Sequence, residues 1–221
     1  MISIKSALAK VLKSDIKTVI KSVVLIESLN YVLAEDLFSA INMPPFSQSA
    51  MDGYAICGEV DAYTIVGEIQ AGDTGIFSLN DGEAFRIFTG AMIPENTKAI
   101  AKQEITKVID NQLVLQEKVK IGTSIRIEGE EIGKGKLVLS EGTKITPAAI
   151  GLLAGFGFES IKVFAQPKIT LVVTGNELTK PGQVLERGKI FESNSFTIKS
   201  ALIDSGFMAD VKFVKDDFES T

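Results

Sequence analysis

The residue pattern of segment 54–124 limits the possible folds of this chain more than any other feature. Short runs rich in valine, isoleucine and phenylalanine alternate there with turn-forming groups, among them Gly72-Asp73, Asn80-Asp81-Gly82 and Pro94-Glu95-Asn96. Such spacing is typical of short strands joined by tight turns. Residues 105–108 and 113–115, separated by Asp110-Asn111-Gln112, predict a hairpin. We therefore predict a small β-rich domain with barrel or sandwich character.

Helical patterns precede this section. Ile4, Ala7, Leu8, Val11 and Leu12 share one helical face, and Ser3 is a suitable N-cap. A second stripe predicts another helix that ends before the prolines at 44 and 45; its members are Leu29, Val32, Leu33 and Leu37.

Three further elements are predicted after the β-rich section. Residues 136–139 form a short strand, and residues 160–164 form another. Thr146 caps a helix that starts at Pro147, runs to about residue 154 and stops at Gly155. Gln166-Pro167 is interpreted as a domain junction.

A βαβ unit is predicted beyond that junction. The apolar run 169–173 is typical of a strand buried on both faces of a parallel sheet. Asn194 caps a helix that ends at Gly206, and residues 211–214 form the next strand, followed by Lys215-Asp216-Asp217. One such unit cannot complete a doubly wound sheet, so we expect the last domain to be cut short.

The predicted fold class is multidomain α+β. An elongated mixed α/β domain takes residues 1–45 and 124–166, and a β-rich domain of residues 46–123 is inserted into it. Residues 167–221 begin an incomplete three-layer α/β domain.

The composition excludes several function classes. Among 221 residues there is no histidine, which removes imidazole bases and ordinary histidine-ligated zinc sites. The formal charge of −5 gives no basic footprint for nucleic acid, and no apolar run is long enough to span a membrane. The single cysteine, Cys57, is expected to be buried and fits a reducing cytoplasm.

Four polar segments are candidate sites, and each has a structural alternative. Asp52 lies in the stiff stretch Pro44–Ile56, either as part of an ordinary Asp-Gly turn or as a carboxylate placed in advance for a metal or ligand. Residues 86–90 end a strand at Thr89-Gly90. These two residues are either an ordinary turn or a hydroxyl and backbone amide that contact an oxyanion. The charged run 126–131 is a solvated loop or a Mg²⁺ site. Residues 174–177 follow the buried strand at the edge where α/β sheets bind ligands, which favours function over a turn.

Taken together, these segments resemble the molybdopterin molybdenumtransferase family, that is, the bacterial MoeA proteins and the E domain of gephyrin. The resemblance covers the whole chain in the family's order, and its first motif is the most specific. The matching segments are Pro45-Phe46 with Ser49–Ala55, Arg86–Ala91 with Ile93-Pro94, Arg126 with Gly129-Glu130 and Ile132, Thr174-Gly175 with Glu177-Leu178, and Ile190 with Ser193-Asn194.

The resemblance implies the last step of molybdenum cofactor synthesis. In that step Mg²⁺ assists cleavage of adenylylated molybdopterin, AMP leaves, and molybdate is inserted. The resemblance also implies a cytoplasmic homodimer with its cleft between the domains of two subunits, and molybdopterin adenylyltransferase as the upstream pathway partner. No nucleic-acid or membrane partner is expected.

The resemblance also assigns roles to particular residues. Catalytic roles fall to Asp52, Thr89 and Glu177, and the metal ligands are Asp52, Glu131 and Glu177. Residues that bind the substrates are Ser49, Gly90, Arg126, Glu130, Thr174, Gly175 and Asn176. The family usually has aspartate at positions 131 and 176, so the contacts of Glu131 and Asn176 are expected to differ.

The family also has a further substrate-binding motif and a C-terminal β domain beyond the position of Thr221. We therefore expect this chain to be a fragment or a truncated member that is inactive alone. The alternative hypothesis is a non-catalytic binding or scaffold module of the same family, and a third is a generic acidic protein that binds another phosphorylated metabolite.

Overall fold

The computed structural model describes residues 2–14 and 18–214, so the predicted segment 215–217 lies outside its description. Most of the described elements are strands. In chain order they are α1 (Ile4–Leu12), β1 (Ile20–Val24), β2 (Val32–Leu33), β3 (Leu37–Phe38), β4 (Gln48–Ser49), β5 (Gly53–Ile56), β6 (Ala62–Ile69), β7 (Glu83–Ile87), β8 (Ala99–Lys102), β9 (Thr106–Ile109), β10 (Gln112–Leu115), β11 (Ile125–Arg126), β12 (Leu137–Leu139), α2 (Pro147–Gly155), β13 (Ser160–Phe164), β14 (Ile169–Thr174), β15 (Leu178–Thr179), β16 (Ile190–Phe191), α3 (Asn194–Asp204) and β17 (Ala209–Val214).

The chain divides into two compact units. Unit 1 comprises residues 1–35, 141–154 and 158–221, and unit 2 comprises residues 36–140 and 155–157. The predicted α+β class is confirmed by this mixture of helices with a majority of strands. The three-domain division stays a prediction.

Unit 2 is built on a six-stranded sheet with the order β8-β5-β7-β6-β10-β9. Strand β5 is antiparallel to both of its neighbours, while β6 and β7 run parallel. Alternate residues of β5 enter two separate hydrophobic clusters: Ala55 lies in one and Ile56 in the other. The sheet is therefore covered on both faces, and Cys57 is buried in one of the clusters, as predicted.

The predicted hairpin is formed by β9 and β10. Its register pairs Ile109 with Gln112 and Val108 with Leu113. The two turn residues, Asp110 and Asn111, have φ values of 48° and 65°. Positive φ at both central positions suits the right-handed twist of the strands, and Asn and Asp tolerate it better than most residues do.

Unit 1 contains a three-stranded antiparallel sheet of order β1-β13-β2, and here one prediction is wrong. The stripe from Leu29 to Leu37 is not a helix: β2 and β3 occupy that part of the chain. Asn30 has φ 67°, which a right-handed helix cannot accommodate, and its N–H donates to Ile145 O at 2.9 Å. Pairing with a distant segment therefore overrides the local helical period.

The predicted βαβ unit is present, with two corrections. Strands β14 and β17 pair in parallel along six residues. Exposure alternates along β14, however, so this strand is not buried on both faces. Helix α3 starts at Asn194 itself, and the side chain that caps it belongs to Glu192, whose carboxylate accepts the Ser195 N–H at 2.6 Å.

The other two helices agree closely with the sequence. Ser3 Oγ accepts the Ser6 N–H at the start of α1, and Thr146 Oγ1 accepts the Ala149 N–H at the start of α2. Helix α2 includes Gly155, one residue more than expected. Within residues 2–14 and 18–214, no helix has the length and apolar character needed to cross a membrane.

Candidate functional site

The first candidate site pairs Asp52 with Thr89 at one end of the unit 2 sheet. Strand β5 begins directly after Asp52, and β7 ends two residues before Thr89. Because these strands are antiparallel, with Gly53 opposite Ile87, the two side chains meet. Asp52 Oδ1 accepts hydrogen bonds from the Thr89 N–H and from the Thr89 hydroxyl, both at 2.8 Å.

The loop before Asp52 is fixed to the turn after Thr89. The Ser49 N–H donates to Ala91 O at 3.0 Å, and the Gly90 N–H donates to Ser49 O at 2.9 Å. Ser49 is 1% exposed, and its hydroxyl donates to Met51 O at 2.6 Å. Gly90 has φ 83°, a conformation that other residues rarely adopt. In this structure Ser49 and Gly90 position the pair, and direct ligand contacts from them stay a prediction.

Electrostatics keep Asp52 ionised at neutral pH. The Thr89 N–H lowers the pKa of the Asp52 carboxyl most strongly, followed by the Thr89 hydroxyl and the charge of Arg86. Among residues 2–14 and 18–214, no hydrogen bond reaches the second carboxylate oxygen, Oδ2, and the residue is exposed. The pair thus presents a fixed negative oxygen and a threonine hydroxyl oxygen that still has lone pairs to accept a donor.

The second candidate site of unit 2 is the acidic loop, residues 126–131. Arg126 Nε lies 3.2 Å from Glu130 Oε1, and its guanidinium also contacts Glu131. The Ile127 N–H donates to Glu130 Oε2 at 3.0 Å. This N–H is the main reason that the pKa of the Glu130 carboxyl is lowered, and Arg126 adds to the effect. Glu130 is therefore anionic, and both glutamates are already paired with the same cation, Arg126.

Asn42 holds the acidic loop from outside, and sequence reasoning assigned it no role. Its Nδ2 donates to Glu128 Oε1 at 2.5 Å, and its Oδ1 accepts the Lys134 N–H at 2.8 Å. The Gly129 N–H donates to Pro44 O at 3.0 Å in addition. The available signal was an asparagine two residues before a pair of prolines, since a stiff segment is a suitable support for a loop.

The third candidate site lies in unit 1, at the carboxyl end of β14. Thr174 is the last residue of that strand, and Gly175, Asn176 and Glu177 form the turn that follows. The Ile190 N–H donates to Glu177 O at 3.0 Å, which fixes the backbone of the turn and leaves the Glu177 side chain exposed. The structure thus groups the four residues predicted for this edge.

A cavity of about 500 Å³ opens beside this turn. Its walls come from β14, β16 and the first residues of α3, and they include Thr174, Ser193 and Asn194. Glu192, also in the wall, is only 3% exposed, and its carboxylate accepts the Ser195 N–H and hydroxyl, both at 2.6 Å. The Ser195 hydroxyl, more than any other group, lowers the pKa of the Glu192 carboxyl. Sequence reasoning missed this buried anion; the glutamate three residues before a helical serine was its signal.

The structure therefore groups the predicted site residues within each unit. In unit 2 it joins Asp52 to Thr89 and joins Arg126 to Glu130 and Glu131. In the described part of the chain, no three acidic, histidine or cysteine side chains lie close enough together to hold a metal ion. The three-carboxylate metal set consequently stays a prediction.

Comparison with known proteins gives a consistent result. A family model described as the MoeA N-terminal region, domains I and II, matches residues 2–157. This range contains the Asp52–Thr89 pair and the acidic loop.

Two relatives share this similarity at the sequence level. A molybdopterin molybdenumtransferase of Haemophilus influenzae is 37% identical over 83% of this chain and 48% of its own length. One of Staphylococcus aureus strain Mu50 is 33% identical over 99% of this chain and 55% of its own length. The chain thus spans about half the length of the curated relatives it matches.

Solved structures show the same likeness. A crystal structure described as the molybdopterin biosynthesis MoeA protein of Pyrococcus horikosii superposes with a TM-score of 0.83 at 30% identity, covering 99% of this chain and 59% of the other. A second structure of a MoeA protein from Pyrococcus horikoshii gives a TM-score of 0.82 at 29% identity, over 91% and 56% of the two chains.

Proposed function

The chain belongs to the MoeA family, and from this membership we propose that it acts in molybdenum cofactor biosynthesis as part of a molybdopterin molybdenumtransferase. The substrates are molybdate and adenylylated molybdopterin, and AMP is released in a Mg²⁺-dependent step. The observation that carries the proposal is the Asp52–Thr89 pair. It is a rigid, ionised and exposed carboxylate oxygen beside a threonine hydroxyl, within the region that matches the family.

The residues of the pair fit a Mg²⁺ ion. Asp52 Oδ2 is a hard oxygen donor with no hydrogen bond from the described residues, and Mg²⁺ is usually held by one or two carboxylates, with waters and substrate phosphates as its other ligands. Bound there, Mg²⁺ would neutralise charge on the phosphoanhydride. Glu177 and Glu131 remain the further ligands we propose.

The remaining site residues orient the substrates in this proposal. The Thr89 hydroxyl donates to Asp52 and keeps lone pairs that can accept a hydrogen bond from a ligand. Arg126 is shared between Glu130 and Glu131, so it supplies a cation that can also meet an oxyanion such as molybdate. Thr174, Gly175 and Asn176 would bind substrate at the edge of unit 1, beside the 500 Å³ cavity.

The proposal includes a homodimer, and exposed apolar surface supports it. Helix α1 buries none of its residues, and its stripe is open to solvent: Ile4 is 89% exposed, Leu8 56%, Val11 67% and Leu12 76%. A contiguous apolar stripe of this kind is typical of an interface. Light scattering during gel filtration should give twice the monomer mass, and Leu8→Glu should lower it; a monomeric parent protein would contradict the dimer. We further propose that the protein works in a reducing cytoplasm. Its upstream pathway partner would be molybdopterin adenylyltransferase.

The reaction is tested with the protein expressed from its whole reading frame. Mg²⁺-dependent AMP release from adenylylated molybdopterin in the presence of molybdate is measured for the parent protein and for Asp52→Asn. Loss of one group that stabilises transition-state charge typically costs about 100-fold in rate. Asp61→Asn, an exposed aspartate in the same unit, is the matched control and should keep full activity. An Asp52→Asn protein as active as this control would overturn the proposed role, and no AMP release from the parent would favour the non-catalytic binding module.

A further inference from the structure

Arg86 lies beside the Asp52–Thr89 pair and is bound on several sides. It is half-buried on β7, three residues before Thr89. Its Nη1 donates to Gly53 O at 3.0 Å, and its Nη2 donates to Gln103 Oε1 at 2.8 Å. The Arg86 side chain therefore reaches from β7 across β5 to Gln103, the residue that follows β8.

Gln103 completes the connection. Its backbone N–H donates to Asp52 O at 3.1 Å, while its side chain accepts from Arg86. The carbonyl oxygens of two consecutive residues, Asp52 and Gly53, are thus each held by this arginine–glutamine arrangement. The peptide that carries the site carboxylate has little freedom to rotate, because both of its ends are bound.

Two aromatic rings lie against the guanidinium. Its central carbon lies 5.1 Å from the centroid of the Tyr54 ring and 4.9 Å from that of the Phe88 ring. A cation at such distances is attracted by the ring faces, and arginine also stacks on them. Phe88 immediately precedes Thr89, and Tyr54 follows Gly53. Arg86 consequently contacts the chain next to both members of the site pair.

We propose that Arg86, supported by Gln103, is a positioning residue that keeps Asp52 and Thr89 at hydrogen-bonding distance for ligand binding. The inference rests on the proposed function, in which that pair is the reactive centre. In this proposal Arg86 acts through its neighbours, since two of its side-chain N–H groups donate to Gly53 O and Gln103 Oε1.

Lysine cannot replace arginine in this arrangement. An ammonium has the same charge but lacks the planar fork that meets two acceptors at once while contacting two rings. Arg86→Lys therefore separates geometry from charge. Arg187→Lys is the matched control, because Arg187 is exposed in unit 1 and lies outside the proposed contacts.

The test reads the Thr89 amide directly, without any activity. Its N–H donates to Asp52 Oδ1, so hydrogen exchange followed by NMR reports the pair, and Asp52→Ala sets the fully unprotected rate. We expect Arg86→Lys to speed exchange of the Thr89 amide about 10-fold, since a hydrogen bond to a charged group is typically worth that much or more. The Ala55 and Ile100 amides, in the middle of β5 and β8, should exchange as in the parent protein.

A purely structural role gives a different pattern. General destabilisation would speed exchange of the Ala55 and Ile100 amides together with that of Thr89, and this result overturns the inference. An unchanged Thr89 rate in Arg86→Lys also overturns it. If Arg86→Lys does not fold, Gln103→Ala decides: a selectively faster Thr89 amide supports the inference, and an unchanged one contradicts it.

A kinetic measurement separates this inference from the proposed function. In the whole protein, Arg86→Lys should lower kcat for AMP release about 10-fold or more with little change in KM. Displacement of catalytic groups reduces the reaction rate more than it weakens substrate binding. A selectively faster Thr89 amide together with full activity of Asp52→Asn would leave the positioning role standing and reject the catalytic function. An unchanged amide with an inactive Asp52→Asn would do the reverse.

Discussion

Gly53→Ala provides a sharp test of how the fold positions the site. A Cβ at residue 53 would lie 2.1 Å from Ala101 O and 2.9 Å from Ala101 C. Both atoms belong to the backbone of β8, which is hydrogen-bonded to β5 along four residues, so no side chain can turn away to make room. Glycine is therefore required next to Asp52 by the close approach of two strands.

The magnitude follows from this contact. Cβ atoms in real structures essentially never lie within 3.0 Å of another heavy atom, so β5 and β8 must separate by about 1 Å at this point. Overpacking of this kind costs typically 1–3 kcal/mol, and a contact between two backbones belongs at the upper end. We expect the free energy of unfolding of unit 2 to fall by about 3 kcal/mol.

Urea unfolding gives the measurement. The chain has no tryptophan, so far-UV circular dichroism is combined with the amide signals of unit 2, which follow that unit separately. Gly133→Ala is the matched control: the nearest atom to its new Cβ is Lys136 Cγ at 3.8 Å, an ordinary contact. It should change stability by less than about 0.5 kcal/mol. Equal stabilities of Gly53→Ala and Gly133→Ala would show that the close approach of β5 and β8 does not require glycine at position 53.

Three further predictions concern packing and charge. Leu113→Ala removes a fully buried side chain, so unit 2 should lose about 2–5 kcal/mol, seen as a lower urea midpoint with an unchanged slope. Tyr63→Phe removes the hydroxyl that donates to Gly58 O at 3.0 Å and should cost about 1 kcal/mol; burial raises the pKa of the Tyr63 phenol, so its absorbance should titrate above the usual range. Asp52 and Glu130 have lowered pKa values, so their contribution to stability is present above the ordinary pKa of about 4 and is lost as the pH falls through the folded values. Asp52→Asn and Glu130→Gln should therefore flatten the acid limb of the stability–pH curve, and a limb as steep as that of the parent protein would contradict this.

Sequence signals correctly predicted the helix caps and the turn that depend only on neighbouring residues. The serine before α1, the threonine before α2 and the Asp-Asn turn between β9 and β10 each act on neighbouring residues, and the structure confirms all three. The helix predicted from the stripe between Leu29 and Leu37 is wrong because strands β2 and β3 are stabilised by partners about 100 residues or more away, which no local period reveals.

The candidate site also depends on both local motifs and long-range contacts. Asp52 and Thr89 are 37 positions apart, and the motifs identified each of them, but only the antiparallel pairing of β5 with β7 explains why they touch. Arg86 lies within one of the quoted motifs, yet nothing local distinguishes it from an ordinary polar residue of a strand. Its role depends on three long-range partners at once: Gly53, Gln103 and the Tyr54 ring.

Whether Asp52 binds a divalent metal ion can be measured directly. Mn²⁺ is a paramagnetic substitute for Mg²⁺. It broadens the signals of amide protons near the ion, and the broadening falls steeply with distance. We expect substoichiometric Mn²⁺ to broaden the amide signals of Gly53, Thr89 and Gly90 selectively. Excess Mg²⁺ should restore these signals, and Asp52→Asn should abolish the broadening. Broadening that is absent from these amides, or that persists unchanged in Asp52→Asn, would contradict metal binding at Asp52.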